Sequence, residues 1–267
     1  MATTGKVVLF LVDGMRPDAM MQAEAPFLHG LVERGASTLE CKTVVPSSTL
    51  PCHTSLFLGV EPTRHGIVTN TWSPPVRPIP GLIETLQQGG KKSVFCYNWE
   101  PLRDLARPEA LHAAFFLNNF EVPEGAGDVA LAHLVAPWLG SATSEWDFAF
   151  VYLGFTDTAG HQSGWMSEPY LRAIGVADRC IAHICAHLPS DCHILVTADH
   201  GGHDKTHGTD RHDDVTTPLV ISGPSVPAGH TITRPARITD IAPTITALFD
   251  IPVPAAWIGA PVTFSDL

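Results

Sequence analysis

The stretch Val7-Val-Leu-Phe-Leu-Val12 is a continuous apolar run that ends at Asp13. Such a run, without polar alternation, is typical of a central parallel strand covered by helices on both faces. Similar runs recur at residues 93–97, 148–153, 193–198 and 219–222. Segments of helical character separate or follow them, at residues 26–34, 54–58, 81–88, 128–139, 169–187 and 241–249. This alternation predicts an α/β three-layer sandwich with a mostly parallel central sheet.

The domain organisation follows from length and from two irregular stretches. A chain of 267 residues can form one large α/β domain, and we expect residues 1–267 to be a single catalytic domain. Residues 71–80 contain four prolines and predict a loop. Residues 98–127 show a weaker pattern, and we expect a small excursion or cap there.

The composition excludes some partners. Lys and Arg total 16 against 27 Asp and Glu, which gives a formal charge of −11 and makes double-stranded nucleic acid an unfavourable partner. The apolar run at residues 7–12 is far shorter than the ~20 residues needed to span a bilayer, so we expect no membrane segment. Six cysteines lack metal-type spacing and no secretion signal is visible, so we expect a cytoplasmic protein with free thiols. The oligomeric state is left open.

Two segments place an acid or a hydroxyl after a predicted strand or before a predicted helix. Asp13 follows the first apolar run, where a carboxylate needs a cation, a partner or a helix-capping role. Ser47, Ser48 and Thr49 precede Pro51, and proline is favoured in the first turn of a helix. A hydroxyl at a helix start can meet phosphate on the N–H groups, or it can simply cap the helix.

Two further segments combine aspartate with histidine. Asp157 and His161 are four residues apart, so one helical turn would place them on the same face, either as metal ligands or as an ion pair. Asp199 and His200 end another predicted strand and are followed by two glycines. Four histidines lie within residues 200–212, which is a dense set of nitrogen ligands. Together the segments offer enough ligands for two divalent ions on one sheet edge, with a hydroxyl nearby.

The order of these motifs resembles the alkaline phosphatase superfamily, most closely its nucleotide pyrophosphatase/phosphodiesterase branch. The most specific piece is Pro46-Ser-Ser-Thr-Leu-Pro-Cys-His-Thr54, followed by Pro62-Thr-Arg-His-Gly-Ile-Val-Thr-Asn70. A C-terminal stretch, Thr239-Asp-Ile-Ala-Pro-Thr-Ile245, is also typical of the superfamily. The resemblance therefore covers most of the chain.

The resemblance implies roles for individual residues. The nucleophile precedes an apolar–proline pair, which selects Thr49, and Asn70 matches an asparagine that binds a phosphate oxygen. Two divalent metal ions, zinc or alternatively manganese, are implied. One would be held by Asp157, His161 and a distal histidine, for which a following glycine selects His207, with His203 and His212 as alternatives. The other would be held by Asp13, Asp199, His200 and the Thr49 oxygen.

Differences between this sequence and both the family pattern and the related branches narrow the range of expected functions. Cys52 stands where relatives often have asparagine, and the usual cap is reduced. Sulfatases need a Cys-x-Pro-x-Arg-like motif, which Thr49-Leu-Pro-Cys-His53 lacks. Phosphoglycerate mutases of this superfamily carry a large inserted domain for which the chain has no room. Alkaline phosphatases proper use serine and an arginine clamp, and no arginine is obviously placed for one.

We therefore expect a metal-dependent phosphoryl-transfer hydrolase that acts on a small-molecule phosphate ester or nucleotide. Phosphodiesters or nucleotide pyrophosphates are the favoured substrates. A phosphomonoesterase and a catalytically silent metal- or nucleotide-binding relative are the alternatives.

Overall fold

The computed structural model describes residues 5–118 and 123–264. Its strands form one sheet whose members are β1 (Val7–Val12), β2 (Ala36–Lys42), β3 (Ser93–Tyr97), β4 (Leu111–Phe116), β5 (Phe148–Leu153), β6 (His193–Thr197), β7 (Thr216–Ser222) and β8 (His230–Thr231). The α-helices are α1 (Pro17–Gln22), α2 (Pro26–Arg34), α3 (Thr49–Leu58), α4 (Pro62–His65), α5 (Leu82–Gln88), α6 (Ala126–Leu139), α7 (Phe155–Ser163), α8 (Glu168–Cys185), α9 (His212–Val215) and α10 (Ile241–Leu248).

The strand order is β4-β3-β5-β1-β6-β7-β2-β8. Strand β1 pairs in parallel with both β5 and β6, so that Val7 lies opposite Phe148 on one side and His193 on the other. Strand β7 runs antiparallel to its neighbours β6 and β2. Because β5, β1 and β6 are adjacent and parallel, their carboxyl ends share one edge of the sheet, where sites in such folds are normally built.

Helices cover both faces of this sheet. Alternate residues of β1 enter opposite layers: Leu9 joins the core under α3, α5 and α10, whereas Phe10 joins the core under α2, α6 and α8. All six residues of β1 are buried, which explains its unbroken apolar sequence. The α/β three-layer sandwich with a mostly parallel sheet is therefore confirmed.

The structure also differs from the sequence-based expectations. Strands β2, β4 and β8 were not expected, and helix α3 begins at Thr49 rather than at residue 54. Pro51 lies in the first turn of α3, where its missing N–H costs no helical hydrogen bond. The start of the helix therefore shifts to the hydroxyl-rich segment itself.

Within its described residues, the expected excursion at residues 98–127 holds three short 3-10 helices, the edge strand β4 and the start of α6. The 3-10 helices are Glu100–Leu105, Pro108–Ala110 and Pro123–Gly125. Strand β4 pairs in parallel with β3, so this part of the stretch belongs to the central sheet. Residues 119–122 lie outside the described residues, and the single-domain assignment with a reduced cap stays a prediction. Among the described helices, none has both the length and the apolar character needed to cross a membrane.

Candidate metal centre

Three adjacent parallel strands deliver three aspartates to one edge of the sheet. Asp13 directly follows β1, Asp157 lies in the first turn of α7 after β5, and Asp199 lies just beyond β6. The three residues are buried, with 1%, 8% and 0% of their surface exposed. Carboxylates in such surroundings need a cation or hydrogen-bond donors to offset the loss of water.

Gly14 connects the three aspartate segments through its backbone. Its N–H donates to Asp199 Oδ1 at 3.1 Å. Its φ is +67°, and a Cβ at this position would lie 3.2 Å from both Cα and Cβ of Asp157. The Asp13-Gly14 pair therefore needs glycine both for its left-handed backbone and for the close approach of Asp157.

The first group of ligand atoms combines Asp157, His161 and His207. Asp157 Oδ1 lies 3.4 Å from His161 Nε2 and 3.6 Å from His207 Nε2. The two Nε2 atoms lie 3.1 Å from each other. Their other ring nitrogens bond to backbone carbonyl oxygens, His161 Nδ1 to Lys205 at 3.0 Å and His207 Nδ1 to Ser47 at 2.8 Å.

These bonds fix the tautomers of the two histidines. A carbonyl oxygen only accepts, so each Nδ1 carries a proton, and Nε2 is the ring nitrogen of each that can offer a lone pair to a cation. Two lone pairs that face each other at 3.1 Å, beside an aspartate oxygen, repel unless a cation or a proton lies between them. Histidine that donates its second nitrogen to a carbonyl is the usual arrangement around a protein-bound metal.

The second group surrounds His200 Nε2. This atom lies 3.3 Å from Asp13 Oδ1, 3.3 Å from Asp199 Oδ2 and 3.4 Å from Thr49 Oγ1. His200 Nδ1 donates to the carbonyl oxygen of Gly201 at 2.8 Å, which again leaves Nε2 as the acceptor. Nitrogen and carboxylate oxygen of this kind suit zinc or manganese.

The pKa values of the clustered aspartates and histidines are shifted by burial and, for the aspartates, by repulsion between neighbouring carboxylates. Burial raises the pKa of Asp13, and repulsion by Asp199 and Asp157 raises it further. Burial followed by repulsion from Asp199 likewise raises the pKa of Asp157. Burial lowers the pKa of His200 to about 4 and that of His207 to about 3, so both rings are neutral near pH 7.

Each aspartate also keeps an oxygen without a hydrogen-bond donor. Within the described part of the chain, Asp13 Oδ1, Asp157 Oδ1 and Asp199 Oδ2 are buried and unpartnered. Unpaired buried acceptors are rare in native proteins and call for a missing partner. The residues present therefore fit divalent cations.

Thr49 is the first residue of α3 and is 5% exposed. Asn70 lies beside it, because Asn70 Oδ1 accepts the N–H of Leu50 at 2.9 Å. Ser47 is fully buried, and its hydroxyl donates to the Thr209 carbonyl at 2.6 Å, which is a structural use of that side chain. Ser48 precedes the helix but makes no capping bond with its side chain.

The alternatives to His207 lie outside these groups. His203 Nδ1 bonds to Asp214 Oδ1 at 2.7 Å. His212 is 69% exposed and lies 3.6 Å from Glu40. The structure thus brings together all seven predicted metal ligands and Asn70, while the role of each residue stays a prediction.

Sequence reasoning missed several residues that support these side chains. His53, one helical turn after Thr49, donates from Nδ1 to the Thr49 carbonyl at 2.8 Å and lies 3.5 Å from Asp199. Tyr152 on β5 donates its hydroxyl to Asp13 Oδ2. The four-residue spacing from Thr49 was the available signal for His53, whereas nothing in the apolar run of β5 distinguishes Tyr152 from a core residue.

A model of the family described as type I phosphodiesterase / nucleotide pyrophosphatase matches residues 7–223. The chain belongs to this family. The branch of the alkaline phosphatase superfamily that the motifs indicated is thereby confirmed.

Among curated members of the type I phosphodiesterase / nucleotide pyrophosphatase family, the chain is similar to the bis(5'-adenosyl)-triphosphatase enpp4 of Xenopus laevis. The two are 24% identical over 226 residues, which cover 75% of this chain and 48% of the relative. It is 25% identical over 225 residues to the mouse ectonucleotide pyrophosphatase/phosphodiesterase family member 3, covering 73% of this chain and 24% of that protein. The chain matches about half the length, or less, of these curated relatives.

Solved structures agree with membership of the phosphodiesterase family at the level of fold. Murine ectonucleotide pyrophosphatase/phosphodiesterase 5 in complex with AMP aligns with a TM-score of 0.78 at 15% identity, covering 97% of this chain and 98% of that chain. A phosphonate monoester hydrolase of Agrobacterium radiobacter aligns with a TM-score of 0.77 at 17% identity, covering 97% and 76%.

Proposed function

We propose that the protein is a metal-dependent hydrolase of phosphodiesters or nucleotide pyrophosphates in which Thr49 is the nucleophile. The observation that carries this proposal is the position of the Thr49 hydroxyl at the start of α3, 3.4 Å from His200 Nε2, an atom that itself lies 3.3 Å from the buried and unpartnered Asp13 Oδ1 and Asp199 Oδ2. Family membership supports the reaction class. The similar proteins, a bis(5'-adenosyl)-triphosphatase and a nucleotide pyrophosphatase/phosphodiesterase, support a nucleotide substrate.

The two groups of side chains would hold two divalent ions, for which zinc is our first choice and manganese the second. Asp157, His161 and His207 form one set. Asp13, Asp199, His200 and Thr49 form the other. Bound divalent ions would lower the pKa of a hydroxyl or water and offset negative charge on the phosphoryl group.

In the proposed substitution at phosphorus, Thr49 is the attacking residue. With a diester, Thr49 Oγ1 gives its proton to water and forms a bond to phosphorus as the bond to the leaving oxygen breaks. The leaving oxygen takes up a proton, and the phosphoryl group stays on Thr49 with its remaining ester substituent. Water then attacks the same phosphorus, and Oγ1 departs and regains a proton. The positive end of the α3 dipole lies at Thr49, where it favours the anionic group.

Asn70 is exposed and adjacent to the nucleophile. Its Oδ1 is occupied by the N–H of Leu50, so its Nδ2 group is the part that can donate to a phosphoryl oxygen. The bond between His53 and the Thr49 carbonyl fixes the first turn of α3. Together these contacts orient the nucleophile before substrate arrives, which is the main protein contribution to such reactions.

Charge around the site favours a diester over a monoester. Lys205, in the loop between His200 and His207, donates Nζ to the Gln162 carbonyl at 2.7 Å. Arg16 pairs with Asp18 at 2.6 Å and with Asp213 at 3.3 Å. A diester carries less negative charge than a monoester and needs fewer free cations. Phosphomonoesterase activity and a silent metal- or nucleotide-binding role are the alternatives.

A substrate panel tests the proposal. Chromogenic monoester, diester and sulfate substrates should be incubated with Zn²⁺, Mn²⁺ or a chelator. We expect diester turnover that needs metal and falls at least about 1,000-fold in Thr49→Ala, with partial activity in Thr49→Ser. Ser47→Ala is the matched control and should stay active.

Three results would contradict the proposal. Diester turnover by Thr49→Ala at the wild-type rate would exclude the covalent mechanism. Faster turnover of the monoester than of the diester would favour the phosphomonoesterase instead, and binding of metal without turnover of any ester would favour the silent relative.

A further inference from the structure

Trp165 touches the segments that carry the predicted aspartate and histidine ligands, although it offers no ligand atom itself. It follows α7 and is 6% exposed. Its indole N–H donates to the Gly14 carbonyl at 2.9 Å, next to Asp13. Its backbone N–H donates to the Asp204 carbonyl at 2.8 Å, in the loop between His200 and His207.

Two glycines allow the indole to lie where it does. A Cβ on Gly160 would lie 2.7 Å from Trp165 Cε2, and a Cβ on Gly202 would lie 2.3 Å from the same atom. Both distances are far below a normal van der Waals contact, so the ring needs glycine at both positions. Gly160 precedes His161, and Gly202 lies two residues after His200. The ring is thus packed directly against the backbone of both ligand-bearing segments.

The indole also contacts two of the imidazoles edge to face. The ring centroids of Trp165 and His161 are 5.1 Å apart with an interplanar angle of 86°. Those of Trp165 and His207 are 5.8 Å apart at 64°. Aromatic pairs favour such geometry and distance. These contacts hold the two imidazoles with their Nε2 atoms 3.1 Å apart.

We propose that Trp165 is the positioning residue for the ligand group Asp157, His161 and His207. It acts by fixing the two imidazoles and the glycine backbones beside them. This inference rests on the proposed function, since it assumes that the group binds a divalent ion. The hydrogen bond to Gly14 is the smaller part of its action, because the Tyr170 hydroxyl also donates to the Gly14 carbonyl at 2.8 Å.

The test is a Zn²⁺ titration against a fluorescent chelator, with metal content measured in parallel. His161→Ala first identifies which of the two dissociation constants belongs to this group. We expect Trp165→Ala to raise that constant about 10–100-fold while the other changes less than about threefold. Trp165→Phe keeps an aromatic ring and should lie between wild type and Trp165→Ala.

Trp146 provides a matched control. It is 3% exposed, and its indole N–H also donates to a backbone carbonyl, that of Leu139, at 3.0 Å. Trp146→Ala and Trp146→Phe should lower the melting temperature but leave both zinc dissociation constants unchanged. A merely structural role of Trp165 would give the same pattern in both pairs of variants.

A second pair of variants tests the contact without removing the tryptophan. Gly160→Ala forces a methyl group against the indole and should weaken the same zinc ion. Gly175→Ala, also inside a helix, has its nearest contact at 3.1 Å, with the Glu24 carbonyl, and should leave both constants unchanged. These variants decide the question even if Trp165→Ala fails to fold.

The outcomes separate this inference from the proposed function. Unchanged zinc affinity in Trp165→Phe and Gly160→Ala, or equal weakening of both ions, overturns the positioning role while the proposed function stands. Wild-type protein that binds no zinc and hydrolyses no ester overturns both.

Discussion

Replacement of Asp157 by asparagine should stabilise the metal-free protein while weakening its hold on divalent ions. Asp157 Oδ1 is buried and unpartnered within the described residues, and one of its carboxylate oxygens lies within 4.8 Å of one on Asp13. The change removes a negative charge but keeps the shape of the side chain. The new amide can also donate a hydrogen bond to a neighbouring carboxylate.

The distance between the Asp157 and Asp13 carboxylates sets the size of the expected gain in stability. Two unit charges at 4.8 Å repel by about 3.5 kcal/mol at an effective dielectric constant of ~20. Part of this repulsion is already relieved in the wild type, because its raised pKa lets Asp157 take up a proton. We therefore expect Asp157→Asn to gain about 2 kcal/mol in free energy of unfolding, or about 5 °C in Tm, for a chain of this size.

The pH dependence has a definite sign. The pKa of Asp157 is higher in the folded protein than in the unfolded chain, so its ionisation destabilises the fold as pH rises through that interval. In EDTA, thermal unfolding should therefore show a large advantage of the variant at pH 8 and a smaller one at pH 5. Saturating Zn²⁺ should reverse the order, since metal at 100 times its Kd stabilises the wild type by about 2.7 kcal/mol per site.

Asp128→Asn serves as the control, because Asp128 is equally buried but fully hydrogen-bonded. Its oxygens accept from Asn98 at 2.9 Å, Gly154 at 3.1 Å and Phe155 at 3.0 Å. Loss of these bonds should cost about 1–3 kcal/mol. If Asp157→Asn also melts below the wild type in EDTA at pH 8, the argument from carboxylate repulsion is wrong.

Three further predictions concern other parts of the molecule. His207→Ala should lose one of two bound zinc ions and most turnover, whereas His203→Ala and His212→Ala should keep both ions in metal analysis, because neither side chain reaches the ligand groups. Asn70→Ala should lower kcat about 10–100-fold at unchanged metal content, and an unchanged kcat would remove Asn70 from the mechanism. The six cysteines are free in the structure, and we propose a cytoplasmic location, so titration of the denatured, unreduced protein should count six thiols, and native disulfides would contradict it.

Burial decides which elements could be predicted from the sequence. Strand β1 is buried along its whole length and therefore appears as an unbroken apolar run. Strand β2 has mixed burial, with Ser37, Thr38 and Glu40 among its residues, and its sequence is that of a surface segment. Strand β4 is an edge strand whose residues alternate between half-buried and exposed. Pairing with a neighbouring strand, rather than local apolar content, places these two in the sheet.

The candidate site divides in a similar way. The predicted ligand atoms belong to aspartates and histidines next to apolar runs. Polar, ionisable residues are unexpected beside buried strands, so the sequence alone marks them as candidates. Trp165 and Tyr152 act by contact, and an aromatic residue in a sequence is far more often part of the core. Nothing in the sequence marks Gly160 and Gly202 either. Each permits the close approach of the Trp165 ring, which lies across a turn from Gly160 and far along the chain from Gly202.

The pairing of β1 with both β5 and β6 has a kinetic consequence. The aspartates beyond these strands meet only after residue 7 has paired with residues 148 and 193, which are separated from it by most of the chain. Closure of such long loops costs entropy and slows folding, and we expect the ligand set to be completed only after the folding barrier is crossed. Interactions absent from the transition state act on unfolding rather than on folding. Divalent ions would therefore lower the unfolding rate and prolong the lifetime of the native state, while the folding rate would stay the same. The metal centre would be completed after the sheet has formed.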